Sequence, residues 1–185
     1  TPKETKEVSN TEYFGDPKYT IKYNDIDDAI KNKFMTPASI VVGAYDMLDD
    51  VPDMRQVKST TMLWELLNSD LDYKPSKILM YANSILSVNA MYALLKKDKR
   101  FNKADIFKMT SDIKTKTNLE YLKEFKKSKN ISILINCKMV TDGIDIPALD
   151  VVVFIDPRYN KADLIQIISR PRSYSKLIPN KIAYI

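Results

Sequence analysis

Short runs of consecutive apolar residues alternate along this chain with longer stretches in which apolar residues recur every three or four positions. The runs predict strands at residues 39–42, 77–82, 104–109, 131–136, 151–156 and 181–185. The periodic stretches predict helices at residues 25–33, 60–67, 84–97, 116–127 and 162–169. Strands that are apolar throughout are typical of parallel sheets buried on both faces. The pattern therefore predicts an α/β fold with a doubly wound, mainly parallel sheet and helices on both faces.

Two of these helices show in the sequence which side should face the sheet. In residues 84–97 the apolar positions fall on one side, and Ser84 has the side chain of a helix N-cap. In residues 116–127, the spacing of Leu119, Leu122 and Phe125 predicts that all three point inward. Residues 46–53 are acidic and contain a proline, which predicts a loop.

Counts of particular residue types exclude several classes of site. The chain has 185 residues with 44% hydrophobic content, enough for one domain with a sizeable core. It contains no histidine, which excludes histidine general bases, Ser–His–Asp triads and most zinc sites, and we expect no metal site. Cys137 is the single cysteine, so an internal disulfide is excluded. The three glycines, Gly15, Gly43 and Gly143, are too far apart to form a phosphate-binding glycine loop.

Charge is distributed unevenly along the chain. The net charge is +5, but residues 1–75 carry nine basic and fourteen acidic side chains. Residues 96–129 carry twelve basic and five acidic side chains. Such a basic segment is either a solvated surface that keeps the protein soluble or a surface that contacts phosphates without reading sequence. The sequence alone leaves both interpretations open.

Residues 1–38 are interpreted as an extended arm or linker that enters a domain formed by residues 39–185. The first residues are polar and lack an apolar signal core, and no apolar run approaches the about 18 residues of a membrane span. The lone cysteine fits a reducing compartment. We therefore expect an intracellular protein, in the cytoplasm or nucleus or encoded by a virus. Because the chain begins without Met, we interpret it as a fragment of a longer protein.

Two stretches go beyond a general α/β pattern. Residues 133–147 read ILINCKMVTDGIDIP, and residues 163–172 read DLIQIISRPR. Together they resemble motifs V and VI of superfamily two helicases, and KILMYANS at residues 77–84 resembles motif IV. FGDPKY at residues 14–19 resembles the joint before the C-terminal lobe in helicases related to restriction-enzyme motor subunits. The chain is therefore similar to the C-terminal RecA-like lobe of this family.

The resemblance implies a motor with two RecA-like lobes that hold ATP in the cleft between them. The family's first lobe carries the phosphate loop and the Mg²⁺-binding acid, so ATP and Mg²⁺ would be bound mainly there. Arg170 occupies the position of the arginine finger that places positive charge against the γ-phosphate, and Gln166 would orient water or bridge the lobes. The family glycine is Ser169 here and the second family arginine falls on Ser173, which makes Arg172 its candidate replacement. On residue type alone, Arg170 could instead be a surface arginine paired with a carboxylate.

Motif V implies further contacts with the nucleotide. Gly143 permits a tight backbone path. Asp145 resembles the family aspartate that contacts the nucleotide sugar or the finger arginine, and Asp142 stands where the family often has an acidic residue. The alternative is that both aspartates are turn residues ahead of Pro147.

An open α/β sheet usually places its functional groups in the loops at the carboxyl ends of its strands. In this chain those loops offer short donors and one charge suited to backbone phosphates: Asn83, Ser84, Thr110, Ser111, Cys137 and Lys138. Cys137 stands where many relatives have a threonine, and a thiol is a weaker hydrogen-bond donor than a hydroxyl. Taken singly, each of these residues could equally be a cap or a turn residue.

The resemblance thus implies the second motor lobe of an ATP-dependent helicase or translocase acting on DNA, with RNA, polarity and biological process left open. The lobe would supply the arginine finger and part of the strand-binding track to an N-terminal lobe of the same protein. Alone, it should not hydrolyse ATP. The alternative is a non-catalytic module that binds nucleic acid or protein through residues 96–129. A small-molecule enzyme of doubly wound fold is disfavoured because the chain offers no general-base constellation.

Overall fold

The computed structural model describes residues 26–41, 52–71, 73–137, 146, 148–157, 160–174, 176 and 178–185. Within them, six strands form one sheet in which each pair of neighbours is parallel. The strands are β1 (Ala38–Ser39), β2 (Lys77–Tyr81), β3 (Asp105–Met109), β4 (Ser132–Asn136), β5 (Val151–Phe154) and β6 (Ala183–Tyr184). Their order across the sheet is β1-β6-β5-β2-β4-β3, so the winding reverses at β2. The predicted doubly wound parallel sheet is confirmed.

Five α-helices lie in the described residues: α1 (Ile26–Lys31), α2 (Pro52–Asn68), α3 (Ile85–Lys97), α4 (Thr115–Lys127) and α5 (Lys161–Ser169). A 3₁₀ turn, Lys99–Phe101, follows α3. None of these helices has the length and hydropathy needed to cross a membrane. The predicted cap of α3 is confirmed, because the Ser84 hydroxyl accepts a hydrogen bond from the N–H of Ser87 at 3.1 Å.

The sheet is covered on both faces, and the residues of β2 point alternately into two cores. Ile78 and Met80 pack in the core that α3 covers, together with Val88, Met91 and Leu95 of that helix. Leu79 and Tyr81 pack in the core that α4 covers, together with Leu122 and Phe125. These four β2 residues are fully buried. The two helices that follow β2 and β3 therefore lie on opposite faces of the sheet, as an α/β fold of this kind requires.

Three local predictions were wrong. Leu119 is 58% exposed, and Asn118 is buried in its place because the inward face of α4 runs through residues 118, 122 and 125. The helix α2 begins at Pro52, inside the predicted loop, since proline is well tolerated in the first turn of a helix. The predicted strand 39–42 is a regular strand only at Ala38–Ser39, although the Val41 N–H still donates to the Ile185 carbonyl oxygen at 2.7 Å; Ile40 and Val41 are exposed, and residue 42 lies outside the described residues.

A buried carboxylate ties together the amino ends of β2 and β5. Asp150 is fully buried and accepts hydrogen bonds from the N–H of Ser76 at 2.8 Å, the N–H of Lys77 at 2.9 Å and the hydroxyl of Tyr73 at 2.5 Å. The Tyr184 hydroxyl donates to the Tyr73 carbonyl oxygen at 3.3 Å. Burial, and then the hydrogen bond to Asp150 and its charge, raise the pKa of Tyr73 well above its ordinary value because they disfavour the phenolate. We call Tyr73, Ser76, Lys77 and Asp150 the Asp150 network.

Candidate functional site

The residues directly after β2, β3, β4 and β5 lie at the carboxyl edge of the sheet. The backbone N–H of Asn83 donates to Oδ2 of Asp156 at 2.7 Å, and its side-chain amide donates to the carbonyl oxygen of Pro157 at 2.9 Å. The N–H of Cys137 donates to the carbonyl oxygen of Met109 at 3.4 Å. The first two bonds join the loop after β2 to the residues after β5, and the third joins the residue after β4 to the end of β3, so Asn83 and Cys137 both lie at this edge.

The individual residues at this edge differ in what they can offer. Ser84 is used as the cap of α3, and Ser111 is exposed beyond β3. Thr110 is fully buried, and within the described residues its hydroxyl has no hydrogen-bond partner. Cys137 is half-buried, and Lys138 lies outside the described residues. The edge therefore presents the exposed side chains of Asn83, Ser84 and Ser111, whereas the Thr110 hydroxyl is buried beneath it.

Helix α5 leads from this edge to the opposite one. The side-chain oxygen of Asn160 accepts hydrogen bonds from the N–H groups of Ala162 at 2.9 Å and Asp163 at 3.4 Å, which caps the helix beside the loop after β5. The nine residues of α5 rise about 1.5 Å each, so the helix is about 13 Å long. Arg170 follows its last residue, and the N–H of Arg170 donates to the Ile167 carbonyl oxygen at 3.3 Å.

The residues after α5, 170–173, form what we call the arginine loop, and it is fastened to the amino edge of the sheet. The Arg172 carbonyl oxygen accepts a hydrogen bond from the N–H of Thr36 at 2.8 Å. The Ser173 carbonyl oxygen accepts from the Thr36 hydroxyl at 3.3 Å and from the Lys181 ammonium at 2.9 Å. The same ammonium donates to the Leu149 carbonyl oxygen, just before β5, at 3.1 Å. Since Lys181 is only 1% exposed, this contact is a buried one that fixes the loop in place.

The two arginines of the loop are half-buried on either side of the buried Pro171. Within the described residues, the Nε of Arg172 is buried without a hydrogen-bond acceptor. The C-terminal end of α5 carries partial negative charge, which stabilises cations placed directly after it. Gln166 is exposed, and its carbonyl oxygen accepts a hydrogen bond from the Ser169 hydroxyl at 2.9 Å. Arg170 and Arg172 thus lie together in the loop, away from the carboxyl edge, and Gln166 lies on the last turn of α5 before it.

The predicted motif V contacts cannot be placed in the same way. Asp142, Gly143 and Asp145 lie outside the described residues, and their roles stay predictions. Ile146 and Leu149, which follow them in the described part of the chain, are buried in the core that α4 covers.

Sequence reasoning missed Thr36, Lys181 and Asp156. Asp156 ends an apolar run at the carboxyl edge, which was a usable signal. Thr36 and Lys181 contact the arginine loop through partners far away in the sequence, and a lysine beside a proline-containing turn is typical of the surface. Nothing in the local pattern distinguished them.

Comparison with known protein families identifies the family of this chain. The family described as "Helicase conserved C-terminal domain" matches residues 58–173, which is more than half of the chain. The chain belongs to this helicase family. It is the C-terminal RecA-like lobe of a superfamily two helicase, as the motifs had predicted.

Individual relatives resemble parts of this helicase lobe. The probable helicase A859L of African swine fever virus is 42% identical over 53 residues, which cover 29% of this chain and 6% of that protein. The ATP-dependent rRNA helicase SPB4 of Saccharomyces cerevisiae is 29% identical over 103 residues, 54% of this chain and 16% of SPB4. The ATP-dependent Type ISP restriction-modification enzyme LlaBIII bound to DNA shares the fold, with a TM-score of 0.68 and 17% identity over 85% of this chain and 12% of that one. The helicase lobe therefore spans less than a fifth of each of these proteins.

Proposed function

We propose that this helicase lobe is the second motor lobe of an ATP-dependent helicase or translocase that acts on DNA. It would work with an N-terminal lobe of the same protein. The observation that carries the proposal is the placement of two polar groups of residues at opposite ends of α5, the strand-end loops at one end and the arginine loop at the other. A motor needs such a separation, because it must hold a strand and a nucleotide at once and link the two.

The arginine loop supports the nucleotide part of the proposal. The Nε of Arg172 is buried and has no hydrogen-bond partner among the described residues, so a phosphate oxygen is a suitable acceptor for it, and the guanidinium fork of Arg170 can meet two phosphate oxygens. Bound ATP would supply the phosphoryl group that is transferred to water. Arg170 would stabilise its developing negative charge as an arginine finger, Arg172 would add a second positive charge, and Gln166 would orient the water or bridge the lobes.

The placement of Mg²⁺ in the N-terminal lobe follows from the resemblance to the helicase family, and the side chains of this lobe are compatible with it. In the described parts of the chain, no three His, Cys, Asp or Glu side chains come together in a way that could hold a metal ion. The arginine loop offers cations to phosphate and no carboxylates to a metal. We therefore assign Mg²⁺ and most of the ATP contacts to the N-terminal lobe, with Asp142, Gly143 and Asp145 adding contacts from this lobe as motif V implies.

The carboxyl edge supports the strand-binding part of the proposal. Asn83, Ser111 and the backbone around Cys137 lie together there, and short polar groups of this kind contact backbone phosphates without reading sequence. Ser84, Thr110 and Lys138 complete the proposed track. We favour DNA because the LlaBIII enzyme, which shares the fold over 85% of this chain, is bound to DNA in its structure, whereas the rRNA helicase SPB4 makes RNA the alternative. A DNA motor should be stimulated more strongly by DNA than by RNA of the same sequence, and the reverse result would assign RNA.

An Arg170→Ala variant of the full-length protein tests the motor function. Arginine fingers contribute about 10³-fold or more to the rate of phosphoryl transfer, so we expect kcat for ATP hydrolysis to fall by at least about 10³-fold. The affinity for a single strand should stay within about twofold, since the arginine loop lies about 13 Å along α5 from the carboxyl edge.

The matched control is Arg100→Ala. Arg100 pairs with Asp98 at 2.7 Å on the 3₁₀ turn after α3, and its loss should leave hydrolysis unchanged. Hydrolysis by the Arg170 variant at the rate of this control would refute the arginine-finger assignment. Hydrolysis of ATP by the 185-residue chain alone would refute the assignment of the phosphate loop to another lobe.

A further inference from the structure

The basic segment 96–129 does not form one surface, because α3 and α4 lie on opposite faces of the sheet. Its lysines divide accordingly. Lys96 at the end of α3 and Lys108 on β3 lie on the α3 face, whereas Lys123 and Lys127 lie on α4. Since β3 is the outermost strand, the α3 face is open along its outer edge. The alternative function, binding through residues 96–129 as a single basic face, could therefore use only part of this segment.

One cluster of side chains on the α3 face forms such a smaller basic surface. The Lys108 ammonium lies 5.1 Å from the centre of the Tyr92 ring, and the Lys96 ammonium lies 5.6 Å from the same centre. The Lys108 ammonium also donates to Oδ1 of Asn89 at 2.6 Å. The ring attracts both cations through its negative face. At most about 11 Å therefore separates the two ammonium groups.

Neither ammonium group of this cluster has a carboxylate counter-ion among the described residues. Across the parts of the chain that the structure describes, neither Lys96 nor Lys108 forms an ion pair with a carboxylate, whereas Arg100 nearby is paired with Asp98. The two lysines are held by a neutral amide and an aromatic ring. Such a surface keeps its full positive charge, which is the condition for binding a partner rich in negative charge.

The cluster continues the proposed strand-binding track. Lys108 is the last but one residue of β3, and the loop after β3 carries Thr110 and Ser111 at the carboxyl edge. Asn89 lies in the first half of α3, near the same edge, and Lys96 lies in its last turn. The positive charge therefore extends from the carboxyl edge along the side of the lobe. The one acidic side chain in the loop after β3 is the exposed Asp112.

We propose that Asn89, Tyr92, Lys96 and Lys108, the edge surface, hold the phosphates of the nucleic-acid strand beyond the carboxyl edge. This rests on the proposed function. Phosphates along one strand follow each other about every 3.4 Å in a duplex, so two ammonium groups at most about 11 Å apart can meet phosphates up to about three positions apart. The half-buried Tyr92 ring holds the two ammonium groups in place beside the path of the strand. DNA and RNA share the phosphate chemistry.

A Lys96→Ala/Lys108→Ala variant of the full-length protein tests the edge surface. The probes are fluorescein-labelled single strands of about 6 and about 20 nucleotides, as DNA and as RNA; at about 3.4 Å per phosphate the short strand spans only about 20 Å. Each lost phosphate contact should lower the slope of log affinity against log salt by about 0.7 for a single strand, so we expect a change of about 1.4 with the long strand. At about 0.1 M salt this corresponds to roughly 20-fold weaker binding.

Two matched variants serve as controls. Lys123→Ala/Lys127→Ala removes the same charge from the other face and should leave both slopes unchanged. Lys96→Arg/Lys108→Arg keeps the charge and should retain the slope of the unaltered protein, which separates a lost contact from a folding defect. Equal losses with the DNA and RNA strands would assign the shared phosphate chemistry, and a loss with one alone would assign that polymer.

Several results would overturn the proposal. Three results with the Lys96→Ala/Lys108→Ala variant would each exclude the edge surface. The first is an unchanged salt slope with the long strand, and the second is a loss of affinity for the short strand equal to that for the long one. The third is an equal loss of affinity in the Lys123→Ala/Lys127→Ala control. Loss of binding to polyglutamate with all strand affinities intact would assign the surface to an acidic protein instead. A failure of the proposed function looks different, because the unaltered protein would then bind neither strand.

Discussion

Removing the carboxylate of Asp150 should destabilise the lobe much more than removing any single one of its partners. The Asp150→Ala change leaves the N–H groups of Ser76 and Lys77 and the hydroxyl of Tyr73 without the acceptor that they share. Asp150 is fully buried, so water does not replace it without opening the amino edge of the sheet. The cost is therefore that of several unsatisfied donors together.

The magnitude follows from these contacts. A buried donor left without an acceptor costs about 1–3 kcal/mol, and Tyr73 is half-buried, so its hydroxyl regains water more easily. We expect Asp150→Ala to lower the free energy of unfolding by about 3–5 kcal/mol and Tyr73→Phe by about 1.5 kcal/mol. In the double variant the Tyr73 change should add almost nothing, because its acceptor is already gone. For a chain of this size, Asp150→Ala corresponds to a fall in Tm of about 6–20 °C.

Urea unfolding followed by the fluorescence of Trp64 measures these changes. Trp64 is the single tryptophan of the chain, and it packs edge-on against Phe101 at 5.7 Å between ring centres, so its emission reports on loss of the α3 core. Tyr92→Phe is the matched control, since within the described residues the Tyr92 hydroxyl makes no hydrogen bond. If Tyr73→Phe costs no more than this control, or if the two changes are additive, the network is not the source of stability that we describe.

The same network predicts a dependence on pH. The pKa of Tyr73 is raised in the folded state, mainly by burial, so folding favours the protonated phenol. A group with a raised folded pKa contributes its full stability below the unfolded pKa of about 10 and loses it as the pH rises above that value. The stability advantage of the unaltered chain over Tyr73→Phe should therefore shrink above about pH 10. An advantage that grows with pH in this range would contradict the sign.

Three further predictions concern single positions. Lys181→Met removes the ammonium that binds the Ser173 carbonyl oxygen and should leave the arginine loop less firmly positioned. In the full-length protein we therefore expect a lower kcat for ATP hydrolysis with unchanged strand affinity, and an unchanged kcat would show that this contact does not position the loop. Thr110→Val should leave the free energy of unfolding unchanged or raise it by about 1 kcal/mol, because it replaces a buried hydroxyl that has no partner among the described residues; urea unfolding that reveals a loss above about 1 kcal/mol would mean that the hydroxyl is bonded. Leu119→Ala should cost less than about 0.5 kcal/mol, whereas Phe125→Ala should cost about 3–5 kcal/mol in the same assay; equal costs would place Leu119 in the core after all.

The parts of the fold that the sequence predicted well are those with a purely local signal. The apolar run at β2 is buried on both faces, and Ser84 directly precedes the periodic stretch of α3. The strand and the start of the helix that follows it could therefore both be predicted from the sequence. The face of α4 was misjudged because Leu119 and Asn118 are neighbours, and only the contacts of Asn118 with the loop after β3 decide which one turns inward. The Asn118 amide donates to the carbonyl oxygens of Thr110 at 2.9 Å and Ile113 at 3.1 Å.

The same distinction between local signals and long-range contacts applies to the candidate site. That the strand-end loops would meet at one edge follows from parallel topology alone, and the structure brings Asn83 and Cys137 there. The position of the arginine loop could not be derived in this way. Thr36 and Ser173 are 137 residues apart, and no local pattern indicates that the one fastens the other. Buried charges such as Lys181 are equally invisible, because their partners are backbone carbonyls supplied by the fold.

Helix α5 has a consequence for what insertions and deletions this lobe can accept. Both of its ends are anchored, by the Asn160 cap beside the carboxyl edge and by the bonds that Thr36 and Lys181 make to the residues following it. One residue more or fewer would turn everything after it by about 100° and shift it by about 1.5 Å. Arg170 would then face a different neighbour, although every residue of the loop was still present. The helix therefore sets both the spacing and the rotational phase between the two ends of the site, and side chains along its exposed face can vary while its length cannot.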